Sequence, residues 1–349
     1  MNPAAPLLSI VVPCFNEEDC LDALHERLTA AAAGVAGDDY EIVLVNDGSG
    51  DGSWARMRVL AEQDRHVMAV NLSRNHGHQL ALTAGLDLCR GGTILIIDAD
   101  LQDPPELLPE MIAAMHREQA DVVYGVRASR GGETAFKRAT AHSFYRLLKR
   151  ATDTDIPIDA GDFRLISRRA LNVLLAMPEQ ARFVRGMVAW IGFRQVPFVY
   201  HRDPRIAGET KYPLSKMIRF AIDALTGFSS APLRFAAHAG LWLSAGSVLI
   251  VIYILSGWMS GKALPGWTSL MLIVVALGAV QMFVLGVMGE YLGRLYHQAK
   301  GRPLYVVQDL VGPPPASARL GVDASAERPI AMQGEGEERR HEGHRHIGP

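Results

Sequence analysis

Residues 93–106 read TILIIDADLQDPPE: an apolar run, an acidic segment and two prolines that open a helical pattern. An apolar run of this length followed by a helix is typical of one βα unit. Similar apolar runs occur at residues 7–12, 41–45, 67–72 and 121–126. Stretches patterned as helices alternate with them, at residues 17–33, 53–63, 77–89 and 105–117. Repeated βα units predict an α/β fold with a largely parallel sheet, helices on both faces, and ligands at the carboxyl ends of the strands.

Polar residues follow the first two predicted strands. The first strand ends in PCFNEE, residues 13–18, and the second in NDGS, residues 46–49. Neither GxGxxG nor GxxxxGK[ST] is present, so the usual dinucleotide and P-loop phosphate sites are not indicated. An acid such as Asp47 at the end of a strand can hydrogen-bond a base or a ribose hydroxyl. The same four residues are also typical of a turn, with the aspartate capping a helix.

The acidic segment after the fourth strand predicts a cation site. If the chain stays extended there, Asp98, Asp100 and Gln102 project to the same side. Two carboxylates and an amide oxygen suit Mg²⁺ or Mn²⁺, which are commonly held by few protein ligands together with substrate phosphates. The alternative is a solvated acidic turn, because DxD is a common sequence.

Two long stretches near residue 262 predict a membrane hairpin. No Asp, Glu, Lys or Arg lies between Arg234 and Lys262 or between Lys262 and Glu290. At about 1.5 Å per residue, each stretch could extend about 40 Å as a helix, against a hydrocarbon core of about 30 Å. The alternative is a buried helical hairpin in a soluble core. Because basic residues lie mainly outside the hairpin, the positive-inside rule predicts a multi-pass protein of the cytoplasmic membrane with both termini in the cytoplasm.

Composition excludes several classes of protein. The 35 Lys and Arg nearly balance the 37 Asp and Glu, so nucleic acid is not an expected partner. Three cysteines at unrelated spacings make neither a disulfide framework nor a zinc site. Because residues 1–18 lack a basic region before the apolar run, we expect no signal peptide and no secreted soluble protein.

Eight segments resemble the polyprenyl-phosphate glycosyltransferases of family 2, the bactoprenol glucosyltransferase and dolichol-phosphate mannosyltransferase type. In chain order they are PCFNEE, VNDGS, SRNHGHQLALTAGLD, DADLQDPPE, GVR, GDFRLISRRA, FVRGMVAWIGF and AGETKYPLSKMIRFAIDALTGFS. The resemblance covers about residues 7–310. It implies a Rossmann-like GT-A fold, a nucleotide-sugar donor, Mg²⁺ or Mn²⁺, and an inverting transfer of a single sugar to polyprenyl phosphate. Such lipid-linked sugars would serve cell-envelope glycans or lipid modification. Similarity to the bacterial branch favours a UDP-sugar and undecaprenyl phosphate, and relatives suggest a homotetramer.

The resemblance also assigns candidate roles to residues of this sequence. The metal and the donor diphosphate are assigned to Asp98, Asp100 and Gln102. The aspartates Asp98, Asp100 and Asp162 are the candidate catalytic residues; Asp162 is either a base, a positioning residue for the acceptor, or a partner of Arg164. Nucleotide-sugar binding is assigned to Pro13, Phe15, Glu17, Asp47, Arg74, Arg205 and Lys211. Acceptor-phosphate binding is assigned to Arg127, Arg130 and Lys137, for which surface solvation is the alternative.

The predicted organisation has six parts. They are a GT-A domain at 1–211, an interfacial amphipathic helix at 212–230, membrane helices at 233–258 and 266–290, a cytoplasmic post-membrane segment at 291–312, and a disordered tail at 313–349. A helix covering the soluble core is the alternative for 212–230.

Two other functions stay open on the sequence. A processive polysaccharide synthase is the weaker enzyme hypothesis, because no QxxRW is present and two spans are few for a polymer channel. A non-catalytic, membrane-anchored nucleotide-sugar-binding scaffold is the second. The complete acidic set, together with Lys211, argues against a degenerate site.

Overall fold

The computed structural model describes residues 6–127, 160–200, 231–260 and 266–315. The predictions for Arg130, Lys137, Arg205, Lys211 and the helix at 212–230 lie outside these ranges, as does the tail beyond residue 315. The strands are β1 (Leu8–Cys14), β2 (Tyr40–Asn46), β3 (Val67–Leu72), β4 (Thr93–Ile96), β5 (Val122–Arg127), β6 (Ala160–Ser167), β7 (Gln195–Tyr200) and β8 (Val307–Val311). The α-helices are α1 (Leu21–Ala36), α2 (Ser53–Gln63), α3 (His78–Leu88), α4 (Leu108–Arg117), α5 (Arg168–Ala176), α6 (Val184–Trp190), α7 (Ala231–Met259) and α8 (Trp267–Ala299). A short 3₁₀ helix, Pro105–Leu107, precedes α4.

The strands form one sheet in the order β7-β5-β6-β4-β1-β2-β3-β8. Strands β1 to β4 are parallel, and β5 and β7 point the same way. Strands β6 and β8 run in the opposite direction, β6 between β4 and β5 and β8 at the edge beside β3. The predicted α/β fold with a mostly parallel sheet is confirmed.

The central strands are buried because helices cover both of their faces. Every residue of β1, β2 and β3 is buried, which explains why these strands read as continuous apolar runs and not as alternating ones. Several predicted boundaries were wrong. Helix α1 begins at Leu21, not at residue 17, α4 follows a separate 3₁₀ turn, and β4 ends at Ile96, before the acidic segment.

Helices α7 and α8 contain most of the two charge-free stretches. Their pairing includes an edge-to-face contact between Phe235 and Phe283, with ring centroids 6.3 Å apart. Within the described residues, one helical segment, Ala276–Ala299, is long and apolar enough to cross a membrane, as judged by length and composition. The two-span arrangement therefore stays a prediction.

After α8 the chain returns to the sheet. Strand β8 pairs with β3, and the Tyr305 hydroxyl donates a hydrogen bond of 2.9 Å to the carboxylate of Asp87 at the end of α3. The end of the helical pair is therefore connected back to the α/β domain.

Candidate active site

A cluster of charged side chains lies at the carboxyl ends of the parallel strands. Asp98 follows β4, His78 begins α3, and Asp162 lies near the start of the antiparallel strand β6. The His78 Nε2 lies 3.2 Å from Asp162 Oδ2 and 3.6 Å from Asp98 Oδ1. One ligand atom from each of the three residues can be chosen so that all lie within 4.8 Å of one another, so this group could hold a metal ion.

Asp162 is held ionised by the groups around it. Its two oxygens accept hydrogen bonds from Nε and Nη2 of Arg185 on α6, at 2.7 and 2.8 Å. Burial alone would raise the pKa of Asp162, but the hydrogen bonds from Arg185 and His78 outweigh it and place this pKa well below its usual range. The charge of Arg164 also lowers the pKa of Asp162, while the Arg164 Nη2 donates a hydrogen bond to the Gly161 carbonyl at 3.0 Å.

The pKa of Asp98 is shifted in the opposite direction, upwards. Burial raises its pKa to about 6; His78 opposes this shift, and the carboxylates of Asp162, Asp103 and Asp100 add to it. Its Oδ1 is buried and has no hydrogen-bond partner among the described residues. A buried carboxylate oxygen surrounded by like charges fits a divalent cation, whose binding would relieve the repulsion.

The backbone after β4 is not extended, so the expectation that Asp98, Asp100 and Gln102 alternate onto one side was wrong in its geometry. The chain turns at residues 99–100, and Leu101 has a φ of 57°. The Gln102 backbone N–H donates to Asp100 Oδ1 at 3.2 Å, and the Gln102 side chain is buried. The three residues are neighbours through a tight turn.

Arg127 belongs to a network beside this turn. The buried Asp103 accepts a hydrogen bond of 2.6 Å from the hydroxyl of Tyr200, the last residue of β7. Burial and the bond to Asp103 raise the pKa of Tyr200, and Arg127 acts in the opposite direction. The network connects the acidic turn to the end of β5, which carries Arg127, and to β7.

Asp47 connects the loops that follow β2 and β3. Its two oxygens accept hydrogen bonds from the backbone N–H groups of His76 and Gly77, at 2.7 and 2.9 Å. Burial raises its pKa, against the effect of these two bonds. Gly48 makes the close approach possible: its φ is 67°, and a Cβ there would lie 2.5 Å from the backbone of Arg74 and Asn75.

The loops after β1 and β2 also interlock. The Asn16 backbone N–H donates to Ser49 Oγ at 3.0 Å, and the Gly50 N–H donates to Asn16 Oδ1 at 2.8 Å. Among the predicted donor-site residues, Pro13 is buried in β1, Phe15 is exposed at the strand end, and Glu17 is half-buried in the loop. The exposed Arg74 lies in the adjoining loop. Strand order brings these residues to one edge of the sheet together with the acidic cluster.

The sequence matches the profile of Glycosyl transferase family 2 over residues 9–175. The "Uncharacterized glycosyltransferase YkcC" of Bacillus subtilis (strain 168) is 46% identical over 307 residues, which are 87% of this chain and 94% of that protein. The chain belongs to glycosyltransferase family 2. The "Prophage bactoprenol glucosyl transferase homolog" of Escherichia coli (strain K12) is 36% identical over 86% of this chain and 98% of its own length. The "Bactoprenol glucosyl transferase" of Shigella phage SfV is 35% identical, with the same two coverages.

Sequence reasoning about this glycosyltransferase assigned no role to His78, Arg185 or Tyr200. His78 and Arg185 lie inside two segments of the family resemblance, SRNHGHQLALTAGLD and FVRGMVAWIGF. Their position inside these two segments was the one sequence feature that could have marked His78 and Arg185 as site residues. Tyr200 precedes the segment that contains Arg205 and Lys211, and nothing in the sequence marked it.

Proposed function

We propose that this glycosyltransferase transfers a single sugar, with inversion, from a UDP-sugar to polyprenyl phosphate, with undecaprenyl phosphate as the bacterial acceptor. The observation that carries the proposal is the pair of unlike carboxylates at the open edge of the sheet: Asp98 in a like-charged environment, and Asp162 clamped by Arg185. The named relatives support the acceptor class, because two of them are described as bactoprenol glucosyl transferases or homologues.

Asp98 and Asp100 would hold Mg²⁺ or Mn²⁺ together with Gln102, and His78 and Asp162 border the same space. When bound, the cation supplies positive charge to the donor diphosphate, on which negative charge grows as the bond to the sugar breaks. The loops around Asp47 and Asn16 would bind the nucleoside and fix the diphosphate beside Asp98. Lys211 and Arg205, outside the described residues, are proposed to reach the same diphosphate.

Asp162 is proposed to act as a fixed anion that positions its neighbours. A carboxylate whose pKa is far below the usual range is a poor proton acceptor near neutral pH. The acceptor needs little help of this kind, because a phosphate monoester has a second pKa of about 6 and is already largely ionised. Asp162 would therefore orient Arg185 and His78, while Arg127, with Arg130 and Lys137, would hold the acceptor phosphate in line for attack.

We also propose that α7 and α8 form two membrane spans and that the α/β domain lies at the cytoplasmic face. The support is the return of the chain to the sheet in β8, because an even number of crossings brings both ends of a hairpin back to one side. Anchoring would hold the enzyme at the membrane surface where the lipid phosphate acceptor is found. A homotetramer is proposed from the resemblance alone.

The testing experiment is a donor screen with the full chain in detergent or nanodiscs. The protein receives undecaprenyl phosphate, Mn²⁺ or Mg²⁺, and in turn UDP-glucose, GDP-mannose and other nucleotide sugars, and mass spectrometry detects the lipid product. We expect one UDP-sugar to give a metal-dependent lipid carrying one sugar.

Asp98→Asn should abolish this product without unfolding the protein, whereas Asp22→Asn, which changes an exposed carboxylate paired with Arg56, should retain it. A polymer would point to the processive synthase. Nucleotide binding without product from any donor would support the scaffold, and normal turnover by Asp98→Asn would remove Asp98 from the site.

A further inference from the structure

A row of hydrogen-bonded side chains crosses three adjacent strands at the edge of the sheet where the donor loops begin. Asn46 ends β2 and is the register partner of Asn71 on β3, which in turn is the register partner of Asp309 on β8. The Asn46 Nδ2 donates to Asn71 Oδ1 at 2.8 Å, and the Asn71 Nδ2 donates to Asp309 Oδ2 at 3.0 Å. Asn46, Asn71 and Asp309 are called the asparagine chain below.

The direction of the asparagine chain is fixed at both ends. At one end, the Ser49 backbone N–H donates to Asn46 Oδ1 at 3.2 Å, so the Asn46 amide must present its oxygen there and its nitrogen to Asn71. At the other end, an ionised Asp309 can only accept, so Asn71 must present its nitrogen to Asp309. The two requirements agree, and each amide is left with one orientation.

The asparagine chain reaches both loops of the proposed donor site. Ser49, which is bonded to Asn46, also receives the Asn16 N–H on its hydroxyl, and Asn16 receives the Gly50 N–H. Asn46 and Asn71 are buried, with 2% and 8% of their surface exposed, so water cannot readily replace the bond between them. A rotation of the Asn71 amide, which Asp309 orients, would therefore affect the loop at residues 46–50 and, through Asn16, the loop after β1.

Strand β8 comes from the far end of the chain, after α8. An edge strand of five residues has one neighbour in the sheet, so its position depends on few interactions. Directly before this strand, the Val306 carbonyl accepts a hydrogen bond of 2.9 Å from the Ser73 N–H. Asp309 is the one acidic side chain of this strand; it is exposed, and its carboxylate accepts the hydrogen bond from the buried Asn71 amide.

We propose that Asp309 is a positioning residue for the donor nucleotide: the strand after the helical pair orients the nucleotide loop at residues 46–50 through Asn71 and Asn46. The inference rests on the proposed function, since it assigns that loop to the donor. It makes the chain segment that follows α8 a part of the donor site, and it gives a specific role to a residue outside the profile match at residues 9–175.

The test exchanges the amide and the carboxylate within the asparagine chain. Asn71→Asp places two carboxylates next to each other, at positions 71 and 309. Their repulsion must displace either β8 or the carboxylate introduced at position 71, which accepts the hydrogen bond from Asn46. The double variant Asn71→Asp/Asp309→Asn restores one donor and one acceptor at this contact. The amide introduced at position 309 donates to the carboxylate introduced at position 71, and Asn46 still finds its acceptor. Asp309→Asn alone keeps an acceptor oxygen for Asn71 and measures the effect of removing the charge. The matched control is Asp22→Asn, at an exposed carboxylate paired with Arg56.

The measurements are the affinity for UDP by calorimetry, the KM and kcat with UDP-glucose and undecaprenyl phosphate, and the melting temperature. For Asn71→Asp we expect UDP affinity to fall about tenfold and KM to rise about tenfold, with kcat within about twofold of the wild type. The double variant should recover the wild-type UDP affinity and KM to within about twofold. Calorimetry is run well below the melting temperature of each variant.

Unchanged UDP affinity in Asn71→Asp, or a loss that the double variant does not restore, would overturn the inference. A lower melting temperature with unchanged UDP affinity would make the asparagine chain purely structural and would overturn it too. UDP binding needs no acceptor, so a rescue of UDP affinity in a protein that makes no lipid product would support this inference while refuting the proposed function. A wild-type protein that binds neither UDP nor GDP would refute both.

Discussion

At the scale of single residues, the site depends on two carboxylates with opposite pKa shifts. The pKa of Asp98 is raised to about 6 by burial and neighbouring acids, and that of Asp162 is lowered by Arg185 and His78. Divergent pKa values in one cluster indicate different roles. Asp98 suits a cation that would relieve the repulsion from its neighbouring carboxylates, and Asp162 suits a permanent negative charge that orients His78 and Arg185.

Arg185→Ala should cost more than the loss of an ordinary surface charge, because it leaves the buried Asp162 without its bidentate partner. We expect unfolding free energy to fall by about 2 kcal/mol, less than the roughly 3–5 kcal/mol of a fully buried pair because Arg185 is one-third exposed. Transfer should fall at least about a hundredfold, and Arg185→Lys should recover only part of it, since lysine cannot bind the carboxylate bidentately.

The control for this prediction is Arg194→Ala, which removes an exposed ion pair with Glu118 and should change stability by less than about 1 kcal/mol. Chemical denaturation of both variants and transfer assays below their melting temperatures check the prediction. Equal effects of the two substitutions would show that the Arg185–Asp162 pair has no special role.

Asp64 provides a pH-dependent prediction away from the site. It accepts hydrogen bonds from the His66 backbone N–H at 2.9 Å and contacts the rings of His25 and His66 at 2.9 and 2.8 Å. Burial would raise its pKa, but these bonds outweigh it and lower the pKa. A carboxyl group whose pKa is lowered by folding stabilises the folded state at pH values above its unfolded-state pKa. That contribution is lost as the pH falls through the pKa of the folded state.

Asp64→Asn should therefore lower the melting temperature near neutral pH, and the difference from the wild type should shrink between about pH 5 and about pH 3. Thermal unfolding monitored by tryptophan fluorescence across this range measures it, with the exposed Asp19→Asn as the control. A difference that stays constant with pH would mean that the charge of Asp64 contributes nothing.

At the scale of secondary-structure elements, the end of α8 is attached to the helix that carries Arg185. The side-chain amide of Gln298 donates from Nε2 to the Pro178 carbonyl at 2.6 Å and accepts from the Gln180 N–H at 2.9 Å. These residues lie in the loop between α5 and α6, and α6 begins four residues later. The Val184 N–H in turn donates to Gln79 Oε1 at 2.9 Å, beside His78.

Gln298→Ala should slow transfer without weakening donor binding, because it loosens α6 and Arg185 but leaves the nucleotide loops intact. We expect kcat to fall about tenfold and UDP affinity to stay within about twofold of the wild type. Gln298→Glu keeps the acceptor for the Gln180 N–H but loses the donor to the Pro178 carbonyl, so its kcat should also be below that of the wild type. Steady-state kinetics and calorimetry test this, with exposed Arg302→Gln as the control; a selective loss of UDP affinity would contradict it.

The five strands before residue 128 could be predicted because each is a continuous apolar run between helical patterns. Strands β6, β7 and β8 could not. Strand β6 contains Asp162 and Arg164, β7 contains Pro197, and β8 is an exposed edge strand, so their patterns are weak. The pairing of β8 with β3 joins residues far apart in sequence, and local periodicity carries no information about such pairing.

The site was predictable to the extent that it lies directly after predicted strands. Asp47 and Asp98 meet that condition, since parallel strands bring their carboxyl ends to one edge. Arg185 does not, because its position depends on the packing of α6 and on the antiparallel insertion of β6. The geometry of Asp100 and Gln102 was also beyond the sequence, because a left-handed Leu101 breaks the alternation on which the prediction depended.

At the scale of the whole molecule, the sheet constrains the path of the helical pair. The chain leaves the α/β domain before α7 and re-enters its sheet in β8, and Gln298 attaches the end of α8 to the same domain. The end of the pair is therefore held by the folded α/β domain. If α7 and α8 cross the bilayer, the turn between them must lie on the side opposite to the active site.

Cysteine accessibility tests this topology in intact cells. In a Cys20→Ser background, the remaining native cysteines, Cys14 and Cys89, are buried and should not react. We expect Lys262→Cys, between the two helices in sequence, to be labelled by a membrane-impermeant maleimide from outside the cytoplasmic membrane. Arg302→Cys, just after α8, should be labelled only after the membrane is permeabilised, because β8 ties its neighbourhood to the α/β domain, which we propose to lie in the cytoplasm. Protection of both positions in intact cells would indicate that the helical pair lies on the membrane without crossing it, and labelling of both from outside would place the catalytic domain on the wrong side for a nucleotide-sugar donor.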